Sequence, residues 1–130
     1  MHTKNIQELE KVVNSELTSK IKKSNIDFNE IMLETEVENL FSIIQFLKSN
    51  EKCKFKQLID IAGVDFPEKD KRFKMLYLLL SHENNSRIII EYYIREDEII
   101  PSVTSIYPSA NWMEREVFDM YGIEFKDHPD

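Results

Sequence analysis

Two apolar runs separated by a short polar segment constrain the fold of this chain more than any other feature of its sequence. The runs are Phe73–Ser81 and Arg87–Arg95, and residues 82–86 between them read HENNS. β-Branched and aromatic residues favour strands, whereas a succession of short polar residues favours a turn. The pattern predicts a β-hairpin, and a further run at Val103–Tyr107, after Pro101, predicts a third strand.

Helical periodicity dominates the first half of the chain. Residues 5–22 and 36–48 repeat apolar side chains at intervals of three and four, which predicts two amphipathic helices. Residues 55–62 predict a shorter helix that ends at Gly63, a residue suited to a left-handed cap. Between the first two helices, residues 26–36 alternate loosely and predict one strand.

The predicted order is one helix, one strand, two helices, three strands, one helix and a short extended tail. Strands that are clustered and flanked by helices indicate an α+β fold, with a mainly antiparallel sheet and helices packed on it. At 130 residues we expect a single domain. Residues 1–24 form its N-terminal helix, residues 26–107 the sheet and its helices, and residues 109–130 the last helix and tail.

Charge and the scarcity of cysteine and glycine exclude several classes of function. The net charge of −7 is unsuited to nucleic acid, which proteins bind through basic surfaces. Cys53 is the only cysteine, so the sequence holds neither an internal disulfide nor a CxxC pair for zinc or an iron–sulfur cluster. Gly63 and Gly122 are the only glycines, which excludes a glycine-rich phosphate loop or a dinucleotide fingerprint.

Residues 112–130 concentrate charged and large apolar residues in the sequence WMEREVFDMYGIEFKDHPD. They predict a helix that ends at Gly122. The apolar stripe of this helix is predicted to consist of Met113, Val117, Met120 and Tyr121. Such a density of charge indicates either a site that performs chemistry or a surface that another protein recognises.

Glu114 lies at the edge of that stripe, where an unpaired carboxylate would be costly. Either Ser109 or Asn111 can serve as the N-cap of the helix. If Asn111 is the N-cap, Glu114 becomes the third helical residue and can complete a capping box. Alternatively, its carboxylate accepts hydrogen bonds from a partner chain or from a buried arginine. Arg115 and Asp119 are four residues apart on the other side of the helix and can pair.

A small metal-dependent enzyme is the alternative to a recognition surface. Its candidate ligands would be Glu114, Glu116, Asp119 and His128. The segment nevertheless lacks the spacings typical of metal-binding helices, such as two histidines four residues apart or Glu-x-x-His. Tryptophan and tyrosine beside arginine are instead enriched at the hot spots of protein interfaces. We therefore predict no catalytic, cofactor-binding or metal-binding residues in this chain.

One motif is specific enough to suggest a family. Its residues are Ala110-Asn111-Trp112, Glu114-Arg115-Glu116, Asp119, Gly122-Ile123, Phe125 and His128-Pro129-Asp130. This pattern resembles that of the C subunit of NADH:quinone oxidoreductase, the respiratory complex I. Earlier segments also resemble that family, namely Phe55–Pro67, Phe73, Tyr77, Leu80-Ser81, Arg87 and Pro101-Ser102-Val103. The resemblance covers about residues 26–130.

The resemblance implies a structural subunit of the hydrophilic arm of the complex, without catalytic residues of its own. The complex passes electrons from NADH through FMN and iron–sulfur clusters to quinone and couples this to proton translocation, but the family itself binds no cofactor. The implied partners are the D subunit, which helps to form the quinone site, and other subunits of the arm. Contact with the membrane is expected only through them, on the cytoplasmic side of a bacterial inner membrane or on the mitochondrial matrix side.

The resemblance also implies which side chains bind the partner. They are Trp112, Glu114, Arg115, Glu116, Asp119, Tyr121, His128 and Pro129. Members of the family continue beyond the His-Pro-Asp motif with a basic, proline-containing tail, so a C-terminally short member is expected here. Related subunits of membrane-bound hydrogenases share parts of the motif and remain an alternative.

Overall fold

The computed structural model describes residues 2–129, and only the backbone of residues 2–5. Within that range it has three helices and seven strands. In chain order these are α1 His2–Glu16, β1 Ile21–Asp27, β2 Glu30–Thr35, α2 Leu40–Ser49, β3 Gln57–Asp65, β4 Phe73–Ser81, β5 Ser86–Ile94, β6 Ile100–Pro101, α3 Ala110–Tyr121 and β7 Phe125–Lys126. Short 3₁₀ turns at Thr18–Lys20 and Val37–Asn39 precede β1 and α2.

The predicted hairpin, β4 with β5, forms the centre of a five-stranded sheet of order β1-β2-β5-β4-β3. Every second residue of both strands is buried, so the hairpin presents one continuous apolar face. All neighbouring strands pair antiparallel except β2 and β5, which are parallel. The prediction of an α+β fold with a mainly antiparallel sheet is therefore confirmed.

The helices bury their apolar stripes in the same hydrophobic cluster as the sheet. The buried members of α1 and α2 are Ile6, Leu9, Val13, Leu40, Ile43, Ile44 and Leu47. Their spacing of three and four residues is the one that predicted these helices. The helices thus cover the apolar face of the sheet, and α3 packs mainly against the edge strand β3.

The N-terminal prediction was wrong in its boundaries. The helix ends at Glu16 rather than near residue 22, and residues 21–27 form strand β1. The single strand predicted over residues 26–36 is instead a hairpin, because Phe28 and Asn29 adopt left-handed φ angles of 49° and 65°. Strand β1 pairs on one side only, and Ile21 and Ile26 are its only apolar residues, so its sequence lacks the alternation that reveals a strand.

The helix predicted over residues 55–62 is also wrong, because this segment enters strand β3. A break in the register between Leu58 and Asp60 inserts one extra residue, Ile59, into the strand. The bulge places Leu58 and Ile61 on the same buried side although they are three residues apart. That spacing imitates a helix, and the following glycine lies within the strand instead of capping a helix.

The strand predicted over residues 103–107 is a turn in the structure. The amide groups of Ile106 and Tyr107 both donate to the carbonyl of Val103, at 3.0 and 2.9 Å. The extended residues lie just before it, in β6, which pairs in parallel with β7 from the C-terminal tail. The three apolar side chains of the turn are buried at a spacing of three and four, so their burial does not require a strand.

Candidate functional site

Helix α3 has an inner face and two exposed flanks. Ala110, Glu114 and Val117 are buried on the inner face. Among the large apolar side chains, Trp112, Phe118 and Met120 are exposed to 64%, 49% and 72%. The prediction that Met120 belongs to the buried stripe is therefore wrong. Glu114 occupies a buried position of the helix, which the periodicity of the apolar residues did not predict.

The carboxylate of Glu114 is fully buried and makes its hydrogen bonds within this chain. The Oγ of Ser102 donates to its Oε1 at 2.7 Å, and the amide of Val103 donates to its Oε2 at 2.8 Å. The capping-box prediction is wrong, since Ser109 precedes the helix as N-cap and makes no side-chain cap bond. The donors to Glu114 within this chain are therefore a serine hydroxyl and a backbone amide.

Burial shifts the pKa values of the ionisable side chains around Glu114. Desolvation raises the pKa of Glu114, and the bonds from Val103 and Ser102 oppose that shift, as does the nearby His128. Beneath the helix, the hydroxyls of Tyr77 and Tyr92 hydrogen-bond to each other at 3.0 Å. Burial raises the pKa of both phenols, and the negative charge of Glu114 contributes in the same direction.

Gly122 reverses the chain at the end of α3 with a left-handed φ of 75°, as predicted. Ile123 is then buried, and the carbonyls of Glu124 and Lys126 accept hydrogen bonds from the amides of Ile100 and Ser102, both at 2.9 Å. These bonds are the parallel β6–β7 pairing. The tail consequently returns alongside α3 instead of leaving the fold.

His128 fastens the far end of the tail to the start of α3. Its Nε2 donates to the carbonyl of Asn111 at 3.0 Å and lies 3.8 Å from the Oε1 of Glu114. The imidazole is largely buried, while the following Pro129 is exposed. Residues that are far apart in the sequence are thereby held around one carboxylate.

Tyr121 also has an internal role that the sequence did not reveal. Its hydroxyl donates to the carbonyl of Gly63 at 2.9 Å, and its ring packs against Phe73 with centroids 5.5 Å apart. A Cβ at Gly63 would lie 2.9 Å from the tyrosine ring, so glycine is needed there for the close approach of strand and helix. Tyr121 joins the end of α3 to the edge strand β3.

A groove of about 420 Å³ lies between α3 and the returning tail. It is lined by Glu114, Arg115, Phe118 and Asp119 on the helix and by Glu124, Phe125 and His128 on the tail. Three of these residues, Phe118, Glu124 and Phe125, were not predicted as site residues from the sequence. The signal that could have located them was Gly122, since a left-handed stop folds residues 123–128 back along the helix.

The four candidate metal ligands are not assembled into one site. Glu114, Asp119 and His128 line the groove, whereas Glu116 is exposed outside it. Among the residues that the structure describes, no group of three or more histidine, cysteine, aspartate or glutamate side chains is arranged to hold a metal ion.

Comparison with solved structures defines the class of protein by its fold. A trypsin-resistant fragment of Nqo5 superposes with a TM-score of 0.79 and 28% sequence identity, covering 94% of this chain and 98% of that fragment. A chain of an archaeal respiratory membrane complex, the membrane-bound sulfane sulfur reductase, has the same fold. Its TM-score is 0.82 at 19% identity, over 94% of this chain and 71% of that one.

The family is shown by sequence. Residues 33–130 match the family described as "Respiratory-chain NADH dehydrogenase, 30 Kd subunit", and the chain belongs to this family. The C subunit of the NADH-quinone oxidoreductase of Ruegeria pomeroyi is 47% identical over 106 residues, which cover 82% of this chain and 53% of that protein. The C subunit of the Hyphomonas neptunium enzyme is 38% identical over the whole chain and 64% of its own length.

The resemblance carried by the terminal motif is thus confirmed. The chain spans between half and two thirds of the length of these curated relatives. Within the described residues, no helix is long and apolar enough to cross a membrane.

Proposed function

We propose that this chain is a non-catalytic structural subunit of the hydrophilic arm of a NADH:quinone oxidoreductase. The complex would carry electrons from NADH through FMN and iron–sulfur clusters to quinone, coupled to proton translocation. Family membership over residues 33–130 supports this role. The chain would contribute by holding neighbouring subunits in register, while the cofactors and the redox chemistry belong to those subunits.

Docking is assigned to the outer surface of α3, and one observation carries that assignment. Trp112 and Met120 are largely exposed on a helix that is otherwise charged on the outside, with Glu116 between them in sequence. Large exposed aromatic and thioether side chains beside charges are the composition enriched at protein interfaces. Burying them against the D subunit at the quinone site would remove apolar area from water and stabilise the assembly.

The proposed cellular location of the chain follows from its proposed attachment to the partner subunits. The chain would be peripheral to the membrane and attached through its partners, on the cytoplasmic side of a bacterial inner membrane or on the matrix side in mitochondria. The family of the chain supports this location. No direct contact between this chain and lipid is part of the proposal.

Co-purification tests the proposed function. An affinity-tagged chain expressed in its own host should recover the other subunits of the arm from detergent-solubilised membranes. Trp112→Ala and Met120→Ala should each lower that recovery roughly thirtyfold, since truncation of an interface hot spot costs about 2 kcal/mol. Phe28→Ala, which removes an even more exposed apolar side chain from the β1–β2 turn, should leave recovery unchanged.

Two results would contradict the proposal. One is recovery of the tagged chain alone, together with normal NADH:quinone activity in membranes that lack it. The other is co-purification with nickel-binding subunits, which would assign the chain to a membrane-bound hydrogenase instead.

A further inference from the structure

The groove beside α3 is formed before any partner arrives. Its helical wall belongs to a packed helix whose inner face is buried. Its second wall, residues 124–128, is fixed by the buried Ile123, by the β6–β7 hydrogen bonds and by the bond from His128 to Asn111. A recess whose walls are already ordered loses little conformational entropy when it binds, which is the main benefit of preorganisation.

The lining of the groove is both acidic and aromatic. Asp119 and Glu124 project from opposite walls, and neither has an ion-pair or hydrogen-bond partner for its carboxylate among the described residues. These two exposed carboxylates outnumber the one guanidinium in the lining, that of Arg115. An anion would be repelled here, whereas a cation would meet opposite charge from both sides.

The aromatic walls narrow the choice of cation. Phe118 is half-exposed and Phe125 half-buried, so both rings present apolar surface to the groove. A small hydrated cation gains nothing from such surface. A guanidinium is weakly hydrated, stacks on aromatic rings and pairs with carboxylates through a planar fork of donors, while its aliphatic stem packs against apolar walls.

We propose that this groove receives an arginine side chain of the partner subunit on which the chain docks. The guanidinium lies between Asp119 and Glu124, and its stem contacts the rings of Phe118 and Phe125. The inference rests on the proposed function, because it supplies the chemistry of one contact in that assembly. It adds a specific electrostatic anchor to the apolar contacts of Trp112 and Met120.

Charge neutralisation tests the contact in the complete complex. The double variant Asp119→Asn/Glu124→Gln should lower recovery of the complex on the tagged chain about tenfold, because it removes both charged partners of the arginine while preserving side-chain size. Asp97→Asn removes a carboxylate that is exposed elsewhere on the surface and should leave recovery unchanged. Thermal unfolding of both variants should match the wild type, since all three carboxylates are exposed.

Photo-cross-linking identifies the occupant. The chain with p-benzoylphenylalanine at position 118 should cross-link to a peptide of another subunit of the arm that contains arginine. The same reagent at position 28 should give no such product. A cross-link to this chain itself, or to a partner peptide without arginine, would overturn the inference.

The failure of this inference is distinguishable from that of the proposed function. If the wild-type chain recovers the arm and the double variant recovers it equally well, only the arginine contact is wrong. If the wild-type chain recovers no subunit of the arm, the proposed function fails and the inference fails with it.

Discussion

At the residue scale, Glu114 is a charged side chain that has been moved out of water into the core. Such a transfer is strongly unfavourable unless hydrogen bonds satisfy the charge. Here Ser102 and Val103 each donate to one carboxylate oxygen, which fastens the segment after β6 to the helix. Glu114 therefore holds in place the region that carries the exposed flanks of α3, through hydrogen bonds within this chain.

The ionisation of Glu114 predicts a pH dependence of stability. Burial raises the pKa of Glu114 above its ordinary value of about 4.3. At pH values between the ordinary pKa and the raised pKa, Glu114 is therefore protonated in the native state and ionised in the unfolded state. The stabilisation from this group is complete below the ordinary value and is lost as the pH rises through the raised value. The free energy of unfolding of the wild type, minus that of Glu114→Gln, should therefore increase as the pH falls through this window.

Chemical denaturation at a series of pH values measures this difference, and the glutamine variant cancels the contributions of other groups. A difference that is constant or decreases with falling pH would contradict the assignment. Glu114→Ala removes both acceptors and leaves the buried Val103 amide unsatisfied. We expect it to lower the free energy of unfolding at pH 7 by about 2 to 4 kcal/mol.

At the scale of elements, α3 and its tail act as one unit. The helix buries one face, and Gly122 directs the following residues back to pair with β6. Exposed apolar and charged side chains then lie on the helix flanks, and the groove forms between helix and tail. The proposed partner surface thus depends on the reversal at Gly122 as much as on the helix itself.

Substitution of Gly122 tests that dependence. No atom lies within 4 Å of a Cβ built there, so Gly122→Ala introduces strain from the left-handed φ of 75° and no clash. We expect alanine to lower the free energy of unfolding by about 1 kcal/mol and asparagine, which tolerates this conformation better, to cost less. Thermal unfolding of the two variants compares them directly, and equal stability of alanine and glycine would contradict the strain.

At the scale of the whole molecule, a single hydrophobic cluster joins the three helices to one sheet. The parallel pairing of β2 with β5 places the β1–β2 and β4–β5 turns at the same end of the sheet. Helix α3 instead packs against β3 on the opposite edge of the sheet from β1. The overall charge of −7 favours association with a basic partner surface and steers it over a distance of roughly 8 Å at physiological salt.

The same arrangement predicts that the fold needs no metal ion. Both oxygens of Glu114 accept hydrogen bonds, and Glu116 lies outside the groove, so the four candidate ligands do not converge on one point. We expect less than stoichiometric metal in the purified chain and an unchanged melting temperature after dialysis against a chelator. One bound metal ion per chain, with a lower melting temperature after its removal, would support a metal-dependent enzyme.

Local sequence patterns predicted an element correctly where the burial or backbone conformation of that element leaves a regular mark in its own sequence. The central hairpin alternates because one of its faces is buried, α2 repeats its apolar residues because one side packs, and Gly122 ends α3 because it adopts a left-handed conformation. The terminal motif was also sufficient for the family. Local patterns failed at β1 and β3, where a polar edge strand and a bulge removed or imitated the expected period.

The sequence by itself determined the fold class, the central hairpin, the stop at Gly122 and the family. Only the tertiary structure decided which residues of the terminal segment face outward. Glu114 is buried because Ser102 and Val103 supply donors from another element, and Tyr121 is held by Gly63, fifty-eight residues away in the chain. Single hydrogen bonds between distant residues produce no periodic pattern in the sequence, because they depend on which elements the folded sheet brings together.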